Sequence, residues 1–224
     1  MKTLFLAASV SVLALGSAQA IDGNSISYSG LAADRTVDTD GNVDMNGAAI
    51  TLNGRVGGNV DMNGAAVDLN AEIGGDLYAN GGAISIDAEV GGETEVNGGA
   101  ITLEGSYNGD AHINGGALDL NGNFQRISAN FGDLDFRGTA AGPVELSGQR
   151  RGGLFRRGDQ SEVYISGHLA AGGEICAHSV EFDDGARVDG TLMVYADEEP
   201  SYPAGFNAAS ITFVERTEQD CPSI

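Results

Sequence analysis

Basic residues are scarce in this chain of 224. One lysine (Lys2) and ten arginines face 32 aspartates and glutamates, for a formal charge of −21. A surface so acidic repels nucleic acid and anionic membrane, so neither is expected as a partner. Catalytic material is equally thin. The three histidines, His112, His168 and His178, lie far apart in sequence without a consistent acidic partner, and there is no H-x-x-x-H, C-x-x-C, G-x-S-x-G or phosphate-loop motif. The calcium-roll motif G-G-x-G-x-D is missing too. Asp38-Thr39-Asp40-Gly41 opens like a calcium loop but lacks the third acidic ligand and the closing glutamate, so it reads as an Asp-Gly turn. No enzyme activity, cofactor or metal is expected.

Long apolar runs are missing except at the start. The stretch from Leu4 to Leu15 is apolar, preceded by Lys2 and followed by Ala18-Gln19-Ala20. A bilayer span needs about 20 apolar residues, so this shorter run is expected to be a signal peptide, residues 1–20, cut between Ala20 and Ile21, and no stable membrane span is expected. No cysteine follows the apolar run, which argues against a lipoprotein. The expected mature chain has 32 acids against 10 arginines, a charge of −22, and an exported address: periplasm, cell surface or exterior of a bacterium. Its two cysteines, Cys176 and Cys221, are an even count in an exported chain and suggest a disulfide. An intermolecular bridge and two free thiols are the alternatives.

No 3.6-residue apolar stripe appears either, which removes helical repeats. What the chain has instead is glycine, 35 of 224 residues, and a period. From Asn42 to Phe124 one pattern returns with a period of 17 in five copies, beginning NVDMNGAAITLNGRVGG and ending DAHINGGALDLNGNFQR. One column is Asn46, Asn63, Asn80, Asn97 and Asn114, each followed by glycine. Others are Ile50/Val67/Ile84/Ile101/Leu118, Leu52/Leu69/Ile86/Leu103/Leu120 and Val56/Ile73/Val90/Tyr107/Phe124. Fixed self-similarity at this length marks a solenoid, and alternating apolar residues such as Val43-x-Met45 mark strands buried on one face. Three short strands per copy, separated by Asn-Gly and Gly-Gly pairs that tolerate positive φ, give an all-β, single-stranded parallel β-helix with 17-residue coils about 4.8 Å apart. Ile84 and Ile101 are expected to stack in its core.

Residues 21–41 read as a degenerate N-terminal capping coil, with Ile26 and Tyr28 one period before Val43 and Met45. Residues 42–125 are the regular helix, and 126–195 continue it irregularly. After Phe124 one residue is lost, since Leu134-x-Phe136 echoes Leu118-x-Leu120 at an offset of 16. At 149–158 an arginine-rich loop carries Arg150, Arg151, Arg156 and Arg157, able to dock an acidic surface, including that of another copy. Beyond it the period of 17 pairs Val163 with Val180, Ile165 with Phe182, Ala171 with Val188, Gly173 with Gly190, Ile175 with Leu192 and Ala177 with Val194. Residues 196–224 form a C-terminal tail or cap, with Ile211 to Val214 as one more strand. Alternation with Ile175 and Ala177 points Cys176 outward, within reach of a tail carrying Cys221.

The run Gly173-Glu174-Ile175-Cys176-Ala177, then Val180-Glu181-Phe182-Asp183-Asp184-Gly185-Ala186-Arg187-Val188-Asp189-Gly190-Thr191-Leu192, resembles the bactofilins, a polymer-forming cytoskeletal family. The resemblance covers about residues 42–195. It implies a right-handed, roughly triangular β-helix and end-to-end assembly into non-polar filaments without nucleotide. The signal peptide and the cysteine-bearing tail depart from that family. The reading that follows is a non-catalytic exported scaffold that self-associates. The alternative is a cell-surface adhesin or a module for cell-envelope polysaccharide, although its aromatic platforms would be only Tyr78 and Tyr107. A polysaccharide-active enzyme comes third. Asp44 and Asp61 would sit one coil apart, open to calcium or simply solvated, and the asparagine column reads as turn chemistry with amides bonding from coil to coil.

Overall fold

The computed structural model describes residues 19–21, 25–148 and 161–216. The expected signal peptide up to Ala18, the four arginines at 150–157 and Cys221 lie outside the described residues. The strands are β1 (Gln19–Ile21), β2 (Ser25–Ser29), β3 (Ala32–Thr39), β4 (Val43–Val56), β5 (Val60–Ile73), β6 (Leu77–Val90), β7 (Thr94–Phe131), β8 (Asp133–Phe136), β9 (Thr139–Ala140), β10 (Val144–Gly148), β11 (Glu162–Ile165), β12 (His168–Leu169), β13 (Gly173–Ala177), β14 (Ser179–Phe182), β15 (Arg187–Val188), β16 (Leu192–Ala196) and β17 (Ile211–Glu215). They form a parallel β-solenoid of about ten turns with a spacing near 17 residues. In the regular half the ladder continues around the corners, so each coil is one bonded stretch of 14 residues rather than three separate strands.

Like residues stack on like because the register equals the repeat. Met45 lies on Met62, Asn46 on Asn63, Ile50 on Val67 and Leu52 on Leu69. Ile84 and Ile101 are register neighbours, 3% and 2% exposed. Each such burial is worth about 1.5–3 kcal/mol. Within the regular coils the apolar columns are broken at Thr94, which stands on Leu77, is fully buried, and has no hydrogen-bond partner for its hydroxyl.

The glycines answer to a different constraint from the one expected. Among the described residues, positive φ occurs at Gly54, Gly105, Gly172, Gly173, Gly185 and Gly205, so within the repeat an Asn-Gly pair shows it only at Asn53-Gly54, and neither the glycines that follow the asparagine column nor those of the Gly-Gly pairs show it. Those glycines are needed for closeness of stacking. A Cβ on Gly64 would stand 2.9 Å from the Gly47 carbonyl oxygen, and one on Gly81 2.8 Å from that of Gly64. On Gly75 it would collide with Oδ1 of Asn59, and on Gly92 with Oδ1 of Asp76.

Irregularity enters through turn length. The lost residue falls between Phe124 and Ile127. Leu118 pairs with Leu134, an offset of 16, whereas Ile127 pairs with Val144, an offset of 17. Val144 then pairs with Gly173, an offset of 29. That coil is longer than a regular one by the whole of the stretch 149–160, which falls outside the description. Val163 pairs with Val180 and Ile165 with Phe182 as expected, but the remaining sequence pairings are two residues out. Leu169, not Ala171, meets Val188. Gly173 meets Leu192, Ile175 meets Val194 and Ala177 meets Ala196. The Asp183-Asp184-Gly185 turn, with Gly185 at φ +99° and Ala186 N–H donating to the Asp183 carbonyl at 3.1 Å, adds two residues. A shift of two leaves every side chain on its own face, so alternation cannot register it.

Both ends are dressed. At the first coil Arg35 takes the column position of Leu52, its guanidinium carbon 4.8 Å from the centroid of the Tyr28 ring. At the other end Phe182, Tyr202 and Phe206 form a ring cluster with centroids 5.2–5.4 Å apart, and β17 adds a final parallel rung to β16.

Candidate functional site

The asparagine column is a chain of side-chain hydrogen bonds. Asn80 donates Nδ2–H to Asn63 Oδ1 at 3.0 Å, Asn97 to Asn80 at 3.2 Å, Asn114 to Asn97 at 2.9 Å and Asn130 to Asn114 at 2.9 Å. Asn46 stands apart, donating to Asp44 at 2.5 Å, and Asn63 likewise donates to Asp61 at 2.6 Å. Asp44 and Asp61 are register neighbours, each held by an amide of its own coil. Among the described residues no group of three or more His, Cys, Asp or Glu is arranged to hold a metal ion.

A second ladder escaped the sequence reading. Asn42 Oδ1 accepts from Asn59 N–H at 2.9 Å, Asn59 Oδ1 from Asp76 N–H at 3.0 Å, and Asp76 Oδ1 from Glu93 N–H at 2.9 Å. These side chains lie over Gly58, Gly75 and Gly92, which is why the Gly-Gly pairs precede them. The signal was present in the column Asn42, Asn59, Asp76: a short acceptor directly after a glycine, with Gly57-Gly58 and Gly74-Gly75 ahead of the last two.

Stacking in register also stacks like charges, and arginines relieve this by reaching one coil back. Arg55 binds Asp38 at 2.9 Å and Asp40 at 2.8 Å, Arg126 binds Asp110 at 2.9 Å, and Arg137 binds Asp119. The Asp38–Gly41 stretch is thereby a turn held by an ion pair, with Gly41 N–H donating to Thr39 Oγ1 at 3.1 Å.

The histidines do have acidic partners, one coil away. His168 Nε2 lies 2.9 Å from Asp189 and His178 Nδ1 2.8 Å from Asp197, while His112 stands 3.7 Å from Glu93. Arg187, and secondarily His168, hold the exposed Asp189 below the usual carboxylate range. Asp197 is shared with Arg216, whose Nε and Nη2 bind it at 3.0 and 2.9 Å.

Cys176 belongs to the asparagine column, since it pairs with Ser147, which pairs with Asn130. It takes the outward side expected, yet it is only 3% exposed, because Arg216, just beyond β17, lies over it with Nη1 3.9 Å from its sulfur. Cys176 is disulfide-bonded rather than a free thiol. Its expected partner, Cys221, is outside the described residues, as are Arg150, Arg151, Arg156 and Arg157.

A groove of about 540 Å³ runs along the axis over the first five coils. Its floor is the small column Val37, Gly54, Ala71, Ala88 and Gly105, and its walls include Arg55, Asn70, Glu72, Asp87 and Glu89. Of the two expected sugar platforms, Tyr107 is not on the surface. It is 1% exposed, stacked on Phe124 at 4.9 Å, with its hydroxyl donating to the Glu104 carbonyl at 2.8 Å. Burial raises that hydroxyl's pKa above the usual range. Tyr78 alone of the pair remains on an outer face. Among the described residues no helix is long and apolar enough to cross a membrane. No family model, no curated protein and no solved structure matches the chain.

Proposed function

We propose that the mature chain is an exported, non-catalytic structural element that self-associates, a bactofilin-like scaffold of the bacterial periplasm, cell surface or exterior. One observation carries the reading. The rungs bond from Ile26 to Glu215, and among the described residues β3 pairs only with β4 and β17 only with β16, so each end offers an unpartnered strand edge. Such edges template further strands. The outer faces support the same reading, since amide ladders and cross-coil ion pairs brace coil against coil there. Electron microscopy and sedimentation of the purified mature protein test it. Filaments or discrete oligomers are expected, and a monomer at every concentration reached would overturn it.

The groove favours a second reading, a module for cell-envelope polysaccharide, because a linear chain could lie along it against Asn70, Asp87 and Glu89. Glycan binding that is lost in the double variant Asp87→Asn, Glu89→Gln while the fold is kept would favour this reading over the first.

A further inference from the structure

The strand edge at β2 is already occupied, and its occupant carries the expected cleavage site. Gln19, Ala20 and Ile21 pair with Ser27, Ile26 and Ser25, the one antiparallel register among the described pairings. The expected cut between Ala20 and Ile21 passes through this strand. From Gly23 to Ala33 the chain has no charged residue, although the expected mature protein carries −22, and Leu31 beside this edge is 75% exposed. The end also carries the Arg35 guanidinium, and cleavage adds the Ile21 ammonium. Of the two ends, this is where two such acidic molecules meet with least repulsion, since at the other β17 ends at Glu215 and Glu198 and Glu199 come soon after β16, with Arg216 there taken up by Asp197.

Building on the self-association proposed above, we infer that removal of the leader is also the trigger for assembly: it uncovers the β2 edge, which then takes the β2 strand of a second copy. The chemistry is amide hydrolysis. Water adds across the Ala20–Ile21 bond, Ala20 departs as a carboxylate, and Ile21 keeps a protonated amine. Gln19 and Ala20 leave with the peptide, and the single pair that remains, Ile21 with Ser25, cannot hold an edge. The partner's orientation follows from β1 itself. This edge accepts an antiparallel strand, and a copy related by a two-fold axis presents its own Ser25–Ser29 antiparallel, in a self-complementary contact. Ile26 and Gly30 donate their N–H groups inward, to the carbonyls of Asn42 and Asn46 at 2.8 and 3.0 Å. By alternation the Ser27 N–H faces the open edge.

The test compares three chains by sedimentation over a concentration series: one beginning at Ile21, one beginning at Gly16 that retains the whole of β1, and the Ile21 chain with Ser27→Pro, each first checked for the same β-sheet spectrum. The Ile21 chain is expected to dimerise or assemble further, and the other two at least about tenfold more weakly. Equal association of the Ile21 and Gly16 chains would overturn this inference and leave the scaffold reading standing. A monomeric Ile21 chain would overturn both. Should Ser27→Pro fail the spectrum check, the Gly16 chain alone decides.

Discussion

The coils from Asn42 to Phe124 and those from Ile127 to Glu215 bury equally apolar columns but are held in register by different means. In the first set every coil has the same length, two side-chain ladders run along much of it, one from Asn42 to Glu93 and one onward from Asn63, and its ion pairs sit well exposed on the rim. In the second, the asparagine ladder reaches Asn130 across an offset of 16, and the offsets of 29 and 19 that follow leave no repeated turn on which it could continue. Individual ties take over there: His168 to Asp189, His178 and Arg216 to Asp197, and the ring cluster of Phe182, Tyr202 and Phe206. The inner columns thus fix which residues stack, while the turns are free to vary so long as something local replaces the ladder.

The comparison breaks first in the core, where the two halves are alike. Ile84→Asp buries an unpaired carboxylate and is expected to cost about 4–5 kcal/mol, as is Ile175→Asp in the second half. An unchanged thermal midpoint for either would remove that residue from the ladder. The next effect belongs to the second half alone. A Cys176–Cys221 bond would close a loop of about 45 residues and contribute about 4 kcal/mol in the chain-entropy model. Labelling the unfolded, unreduced mature protein is expected to find no free thiol. Two labelled cysteines per chain would refute the bond, and a dimer on a non-reducing gel would move it between chains.

Smaller effects separate the ladders from the columns. Gly75→Ala sets a methyl against Asn59 Oδ1 and is expected to destabilise by about 1–3 kcal/mol, part of it recovered in the double variant Asn59→Ala, Gly75→Ala. Strict additivity in that cycle would show that the amide is not what the methyl meets. Smallest of all, Thr94→Val replaces an unpartnered buried hydroxyl with a methyl of similar volume and is expected to stabilise by about 1 kcal/mol, read from urea midpoints. A loss of stability would mean that the hydroxyl is satisfied after all.

The first half was legible because its register and its repeat coincide, so a column such as Asn63, Asn80, Asn97 can be read without a structure. The second half was legible only to within two residues, since alternation is blind to an even shift, and Ile175 was therefore assigned Leu192 in place of Val194. The histidine partners were hidden for the same reason: separations of 21 and 19 residues mean nothing until the coil length is known. Turn glycines were legible as turns but not as points of close stacking, because composition does not separate positive φ from lack of room. The burial of Cys176 depended on Arg216, 40 residues away, which no local pattern connects to it.

The amide chain through Asn63, Asn80, Asn97, Asn114 and Asn130 runs one way, every Nδ2–H pointing at the Oδ1 before it. Each interior coil therefore shows an acceptor to its successor and a donor to its predecessor, and all such coils are interchangeable parts. Cutting out a whole coil, residues 77–93, would bring Asn97 onto Asn63 and Ile101 onto Val67 with the same hydrogen-bond polarity across the new joint. The length of this rod is thus an adjustable quantity, set in steps of about 4.8 Å without redesign of what lies on either side.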